Sequence, residues 1–378
     1  MAGFFHLIQC VVRAMVKNAF RLLASLVPAG EAVFEIARDA HEGYRRDKSE
    51  DDLRIELEGR IDAMPTAVPQ ATAVAGKPVE LHLELVSYLD PTAGPSPSWP
   101  RDPPVIVQSP KHEYALTGLL AQGDAADLHR AHDTATTPES KYIVKAARVA
   151  EGNVLLENER QVLTGLLSAA NGTPYRKYLP ALVESFRTKD GTRKRVNVFR
   201  EEPGFYTLEQ AHEQHAALDG RHLAWIFKRL LTVLGFCHRQ RIVHGAILPC
   251  HVLINPGDHG MRLIGWGQSV GMDRPLKALP ERYRAWSPPE ILTKRPATPA
   301  TDLYLAARCL IYLAGGDPVG NRMPDTVSVP MQRFFQTCLF AAAGMRPNDA
   351  WQLMDEFDRL LRRLYGPPKF HELAMADQ

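Results

Sequence analysis

The chain has 378 residues, 45% hydrophobic and 23% charged, an ordinary globular composition with room for two or three domains. Its net charge of +2 supplies no overall field for a nucleic acid or a membrane, so no nucleic-acid partner is expected and any basic surface is local. The five cysteines, Cys10, Cys237, Cys250, Cys309 and Cys338, form no C-x-x-C pair and no disulfide framework, which reads as reduced thiols in a cytoplasm.

The first part, residues 1–64, reads as a small helical module. Its opening helix, from about Phe4 to Leu26, is strongly apolar, with His6, Arg13, Lys17 and Arg21 on one face. The bases lie inside the apolar run rather than before it, the wrong order for a secretion signal. No uninterrupted run of about 18 apolar residues occurs, so no transmembrane helix is expected. Two readings of the opening helix stand: packing in a bundle, or peripheral membrane contact through residues 1–26, with Arg13, Lys17 and Arg21 meeting anionic headgroups or a partner. A second helix follows over "EAVFEIARDAHEGYRRDK". A third starts at Ser49 with a capping-box-like "SEDD" and carries Leu53, Leu57 and Ile61 on one face.

Residues 65–110 read as a linker. Ten prolines between Pro65 and Pro110 exclude a continuous helix or a central strand. One island, "PVELHLELVSYLD", alternates like a strand, while Pro78 equally suits the start of a helix.

From residue 111 to 368 the pattern changes. "YALTGLLAQGDAADLHRA" and "KYIVKAAR" read as strands, "GNVLLENERQVLTGLLSAA" as an amphipathic helix, and "RVNVFRE" as another strand. "RHLAWIFKRLLTVLGFCHRQ" reads as a long buried helix. Two short strands, "HVLI" and "MRLIGW", precede the helices "TDLYLAARCLIYLAGG" and "DAWQLMDEFDRLLRRLYG". A β-rich portion followed by a helical one is an α+β order. Residues 369–378 read as a tail.

This order of elements, with these motifs in it, resembles the protein kinase family. "LLAQGDAADLHRA" sits where the family has a Gly-rich loop, with Gly123 as the one matching glycine and Ala121 and Ala126 at the other two positions. "YIVKAAR" matches the third-strand lysine motif through Lys145. "LLENERQVL" resembles the helix that supplies its glutamate, Glu159 first and Glu157 second. "IVHGAILPCHVLI" aligns without gaps with the catalytic-loop pattern H-R-D-L-x-x-x-N. His244 matches, but Gly245 stands for the Arg, Ala246 for the Asp and His251 for the Asn. "LIGWGQS" resembles D-F-G, with Gly265 for the Asp, Trp266 for the Phe and Gly267 matching. "WSPPEIL" matches A-P-E through Glu290. Asp302 opens the following buried helix, and Arg346 in "GMRPNDA" matches the family's partner of that glutamate.

The resemblance implies a bilobal protein-kinase-like fold with a small β-rich lobe and a larger helical lobe. Its catalytic positions are degraded. Phosphoryl transfer needs Mg²⁺ held on the phosphates and a carboxylate at the acceptor hydroxyl. Mg²⁺ wants oxygen ligands, which His251 and Gly265 do not offer, and Ala246 accepts no hydrogen bond. No catalytic residue and no metal site is therefore expected. His244, Glu290, Asp302 and Arg346 hold the large lobe together in the family. Gly123, Lys145 and Glu159 remain as a vestigial nucleotide site; ATP without Mg²⁺ and a plain Lys145–Glu159 salt bridge are both open.

The activation-segment equivalent offers only Ser269, Tyr283 and Ser287 as hydroxyls, and Gly245 replaces the family's phosphate-receiving arginine, so no phosphoswitch is indicated. The spacing of His244, Cys250 and His251 fits no zinc pattern. The expected function is a catalytically inactive kinase-like protein that regulates or scaffolds another protein, with the N-terminal helices as docking or output element. Two alternatives stand beside it: an atypical active kinase using displaced acids such as Asp258, Asp273 or Glu281, and a membrane-acting effector gated by the kinase-like domain.

Overall fold

A computed structural model describes residues 105–136, 140–148, 150–189 and 193–376. The helices expected over 1–64, the linker up to residue 104 and the basic face of Arg13, Lys17 and Arg21 lie outside the described residues.

The small lobe is a six-stranded antiparallel sheet in the order β1-β2-β3-β4-β6-β5. Its strands are β1 (Ile106–Gln108), β2 (Glu113–Gln122), β3 (Ala126–Asp133), β4 (Lys141–Ala147), β5 (Leu182–Arg187) and β6 (Arg195–Arg200). Helix α1 (Ala150–Ala169) joins β4 to the rest. Tyr114, Leu116, Ala131, Tyr142, Val144, Phe186, Val196 and Val198 form the apolar core of the sheet. Period-2 alternation puts these side chains on one face. Strand β1 falls inside the stretch read as linker. It pairs with β2 through Val107↔Tyr114. Prolines 104 and 110 flank it, and a short edge strand tolerates them because its outer N–H groups need no partner.

The large lobe follows the two-residue strand β7 (Tyr206–Thr207) and is mainly helical. It holds α2 (Leu208–Gln214), α3 (Gly220–Arg239), α4 (Pro289–Leu292), α5 (Pro299–Leu313), α6 (Val329–Thr337) and α7 (Ala350–Tyr365). Short strands β8 (Ile242–Val243), β9 (Val252–Asn255), β10 (Gly260–Leu263) and β11 (Val270–Gly271) carry the loops of the cleft. Asp219 caps α3 by accepting from the Arg221 and His222 backbone. Gly235 of α3 sits so close to α7 that a Cβ there would meet the Trp351 ring at 2.2 Å. Leu303, Leu310 and Ile311 of α5 are fully buried in the same core as Phe227 of α3 and Phe357 of α7. The bilobal α+β expectation is met.

Most of the stretch read as a tail is ordered against the large lobe. Leu373 is buried in the main core. His259 donates from Nε2 to the His371 carbonyl at 2.7 Å and stacks between Trp225 and Phe370. His215 donates to the Ala374 carbonyl, and the Tyr206 hydroxyl donates to that of Ala376. The strap therefore runs from α7 back to β7, beside the junction of the lobes. Its low hydropathy hid it, because one buried leucine and several backbone bonds leave little periodic signal. Truncation after Gly366 is expected to lower Tm by about 5 °C or more, since full burial of one leucine alone contributes about 1.5–3 kcal/mol. A thermal melt of the truncated chain beside the full one checks this.

Candidate functional site: the cleft between the lobes

In the small lobe, the Lys145 ammonium lies 2.8 Å from Glu159 Oε1. Strand β4 aims the lysine inward, and α1 brings the glutamate to it. Glu159 is buried, and its second oxygen accepts from Asn197 Nδ2 at 3.0 Å. Asn197 is the direct cross-strand neighbour of Lys145. It also donates to the Leu156 carbonyl and accepts from Ser185. A buried carboxylate is tolerable because two donors satisfy it. Glu157, the second candidate, instead pairs with Arg160 and Arg195. The Arg160 hydrogen bond, helped by Gln161 and the Arg195 charge and opposed by partial burial, holds the Glu157 carboxyl down at about 2.

Asn197 was not singled out in the sequence. Its signal was a polar residue between two apolar ones in "RVNVFRE", where alternation alone does not show that it faces the glutamate.

The β2–β3 turn carries Gly123. Its N–H donates to the Ala126 carbonyl at 2.9 Å, and its carbonyl accepts from Arg148 Nη1. Those backbone groups are used within the lobe. Asp127 lies 3.6 Å from Arg148 Nε. Asp124 accepts from the backbone N–H of Glu281 across the cleft.

In the large lobe, the loop after β8 hangs from Asp302. This carboxylate is fully buried and accepts from His238 Nε2 and the His244 N–H, both at 2.9 Å, and from the Gly245 N–H at 2.8 Å. His244 in turn donates from Nε2 to the Ile264 carbonyl, and its Nδ1 accepts from the Ala246 N–H. That pairing fixes a neutral ring with the proton on Nε2. Burial pushes its pKa down to about 4, against the pull of Asp302.

The three altered positions fit together sterically. Gly265 has φ +82, a left-handed conformation that suits glycine. A Cβ on it would meet His251 Cγ at 2.5 Å. His251 therefore occupies the space that a carboxylate on residue 265 would need. Its Nδ1 donates to the Ala246 carbonyl at 2.9 Å, and burial lowers its pKa as well. Ala246 is buried beneath it. Gly245 has φ +74, and a Cβ there would meet Leu276 Cδ2 at 2.5 Å. The place of the family's arginine is thus filled by an apolar side chain from the following segment.

The residues present do not fit a Mg²⁺ ion. Gly265 has no ligand atom, Ala246 has none, and the Nδ1 of His251 is engaged with a carbonyl. Among the described residues, no group of three or more His, Cys, Asp or Glu is placed to hold a metal. The acids that could stand in for the missing ones lie in local turn or surface contacts. Asp258 accepts from the Gly260 N–H in its own turn, Asp273 faces Arg241, and Glu281 faces Arg284.

The segment after Gly265 is tied to both lobes. Trp266 is fully buried, donates to the Leu263 carbonyl and meets His244 edge-on. Asn158 of α1 donates to the carbonyls of Gly267 and Ser269, at 3.0 and 2.8 Å. Farther on, Glu290 and Arg346 form a bidentate pair at 2.8 and 3.1 Å. Thr301 donates to the same glutamate, and the guanidinium lies over the Tyr304 ring. Such pairing is what keeps a buried arginine tolerable.

Two expectations follow. Gly265→Ala is expected to cost more than about 1 kcal/mol from its backbone conformation alone. Pairing it with His251→Ala should recover the part due to the clash, with a coupling of about 0.5 kcal/mol or more in a double-mutant cycle read by denaturant unfolding. The second concerns pH. An unfolded histidine takes up its proton near pH 6.5, whereas folded His244 resists it until about pH 4. Between those values the unfolded chain binds more protons. Stability is thus full above about pH 6.5 and falls as the pH drops toward 4, by about 1.4 kcal/mol per unit for this ring. Unfolding midpoints measured from pH 7.5 to 4.5 test it.

No protein-family model matches the chain. Serine/threonine-protein kinase F of Synechocystis sp. is 28% identical over 222 residues, which cover 53% of this chain and 44% of that protein. Cell division control protein 2 homolog 3 of Trypanosoma brucei brucei is 31% identical over 118 residues, 29% of this chain and 37% of that protein. The chain thus spans less than half the length of these curated relatives. Together with the bilobal fold built around the cleft, these matches support a protein-kinase-like domain in this chain.

Proposed function

We propose that this is a non-catalytic kinase-like protein whose domain positions another protein. The observation that carries the reading is the His251 ring in the space beside Gly265. Three functions of phosphoryl transfer, the acceptor-orienting acid and two metal ligands, would have to come from Ala246, His251 and Gly265. The first and last have no functional side chain, and the middle one fills the cavity. Removing a single charge-stabilising group typically costs about 10²–10³ in rate, so loss of all three leaves no useful turnover.

In this reading the chain's own residues serve shape. Asp302 and His244 hold the loop, Glu290 and Arg346 hold the segment that follows it, and Lys145 with Glu159 fixes α1 against the sheet. Lys145 is the cation among the matched nucleotide positions, and Glu159 already compensates it. ATP binding without Mg²⁺ is the nucleotide chemistry that remains compatible with the cleft. The partner engaged is a protein, met by the domain surface or by residues 1–64. Among the described residues no helix is long and apolar enough to cross a membrane.

Incubating the purified chain with radiolabelled ATP and Mg²⁺ is expected to give no labelled chain and no labelled acceptor protein. Transfer that disappears in Lys145→Ala would overturn the proposal. In a thermal-shift measurement, Mg²⁺ is expected to add nothing to the change that ATP alone produces.

A further inference from the structure

Strands β5 and β6 meet at one end in a direct pairing of two arginines, Arg187 with Arg195. Direct partners in an antiparallel ladder hold their Cβ atoms about 5 Å apart, where like charges are destabilising. The connection between the strands adds to the charge. Residues 187–195 read "RTKDGTRKR", five basic residues against the single acid Asp190. That excess is larger than the net charge of +2 on the whole chain, so the remainder of the chain is net acidic.

The surrounding residues compensate little of this charge. Glu157 of α1 pairs with Arg195 at 2.5 Å, but it also holds Arg160 at 2.6 Å. One carboxylate thus serves two guanidinium groups, with the Arg187 charge beside them. Arg195 Nη1 donates to Ser185 Oγ at 3.0 Å, while its Nε is buried without a hydrogen-bond partner. Burial lowers the Arg195 pKa against the pull of Glu157, and the Arg187 and Arg160 charges push it the same way. Arg187 itself donates to the Arg193 carbonyl. Among the described residues, Arg187, Lys189, Arg193 and Lys194 pair with no carboxylate, and the first three are exposed.

The fold gains nothing from a second arginine opposite Arg195, because a neutral residue there would pair without repulsion. An anion that bridges the two strands turns the same arrangement into an attraction, since guanidinium groups take carboxylates bidentately. The size of that anion is limited. The charge is confined to one hairpin, and the net acidic remainder repels a long polyanion or an anionic sheet laid across the domain. A short run of carboxylates stays at the hairpin.

We propose that the β5–β6 hairpin, through Arg187, Lys189, Arg193, Lys194 and Arg195, is a docking surface for an acidic segment of a protein partner. Aspartates and glutamates of that segment span the Arg187–Arg195 pair and the basic residues before β6. The surface uses none of the matched phosphoryl-transfer positions, so docking there holds whether or not the cleft is catalytic.

The test titrates the full chain into fluorescein-labelled octaglutamate at low ionic strength and reads anisotropy, with octaglutamine as control. Saturable binding of octaglutamate alone is expected, weakening as salt is added. Arg187→Gln is expected to weaken it about fivefold, and the double variant Lys189→Gln with Arg193→Gln about tenfold or more. Without peptide, Arg187→Gln is expected to melt at the same temperature as the parent chain or higher, because it relieves a like-charge pair. A lower melting temperature for Arg187→Gln would assign the pair a structural role and overturn the proposal. So would absent octaglutamate binding, or binding unchanged in both variants. Tighter binding of phosphatidylserine vesicles or duplex DNA by the same residues at the same ionic strength would overturn the assignment to an acidic protein segment.

Discussion

A buried carboxylate is costly unless donors surround it, and Asp302 is the point at which this fold meets that condition. Its three donors come from the end of α3 and from the first two residues of the loop after β8. Its place in the first turn of α5 adds the favourable field of a helix N-terminus. The consequence reaches beyond the aspartate. With the His244 and Gly245 backbone fixed, the His244 ring is held against Ile264 and Trp266, and this sets where the chain leaves β10. The path of Gly265 and of the segment after it is therefore decided by a buried carboxylate in the first turn of α5.

That dependence explains how the loop holds its shape without acids at residues 246, 251 and 265. Hydrogen bonds from backbone to Asp302 and from His244 to a backbone carbonyl do not involve residues 246, 251 or 265 as side chains. The space those side chains would share has been refilled consistently. His251 lies over Ala246 and against Gly265, and Leu276 lies against Gly245. Close packing makes such a set interdependent: a side chain added at one position meets the occupant supplied by another. Restoring one carboxylate is accordingly a steric problem before it is a chemical one.

Much of this was legible from residues in order. The strands around Lys145, the amphipathic helix with Glu159 and the buried helices around Phe227 and Leu310 follow from alternation and helical spacing. Motif order then placed Glu290 and Arg346, whose long separation in sequence no local pattern would connect. Less was legible where a contact is long-range and polar. Asn197 beside Glu159 and Asn158 under Gly267 are ordinary surface-type residues by composition. Strand β1 and the strap through Leu373 were hidden for a related reason. Flanking prolines or a single buried apolar residue give too little periodicity to mark an element.

Sequence alone determined which side chains stand at the matched motif positions, because the absence of a carboxylate at Ala246 or Gly265 is a covalent fact that no folding can reverse. It also determined the two-lobed order of elements, since hydrophobic period is a local property of the chain. Tertiary structure decided what fills the space around those positions, and that Asp124 meets the backbone of Glu281 across the cleft. Those outcomes depend on distances between segments far apart in the chain, set by how the core around α3, α5 and α7 closes, and no spacing within one segment encodes them.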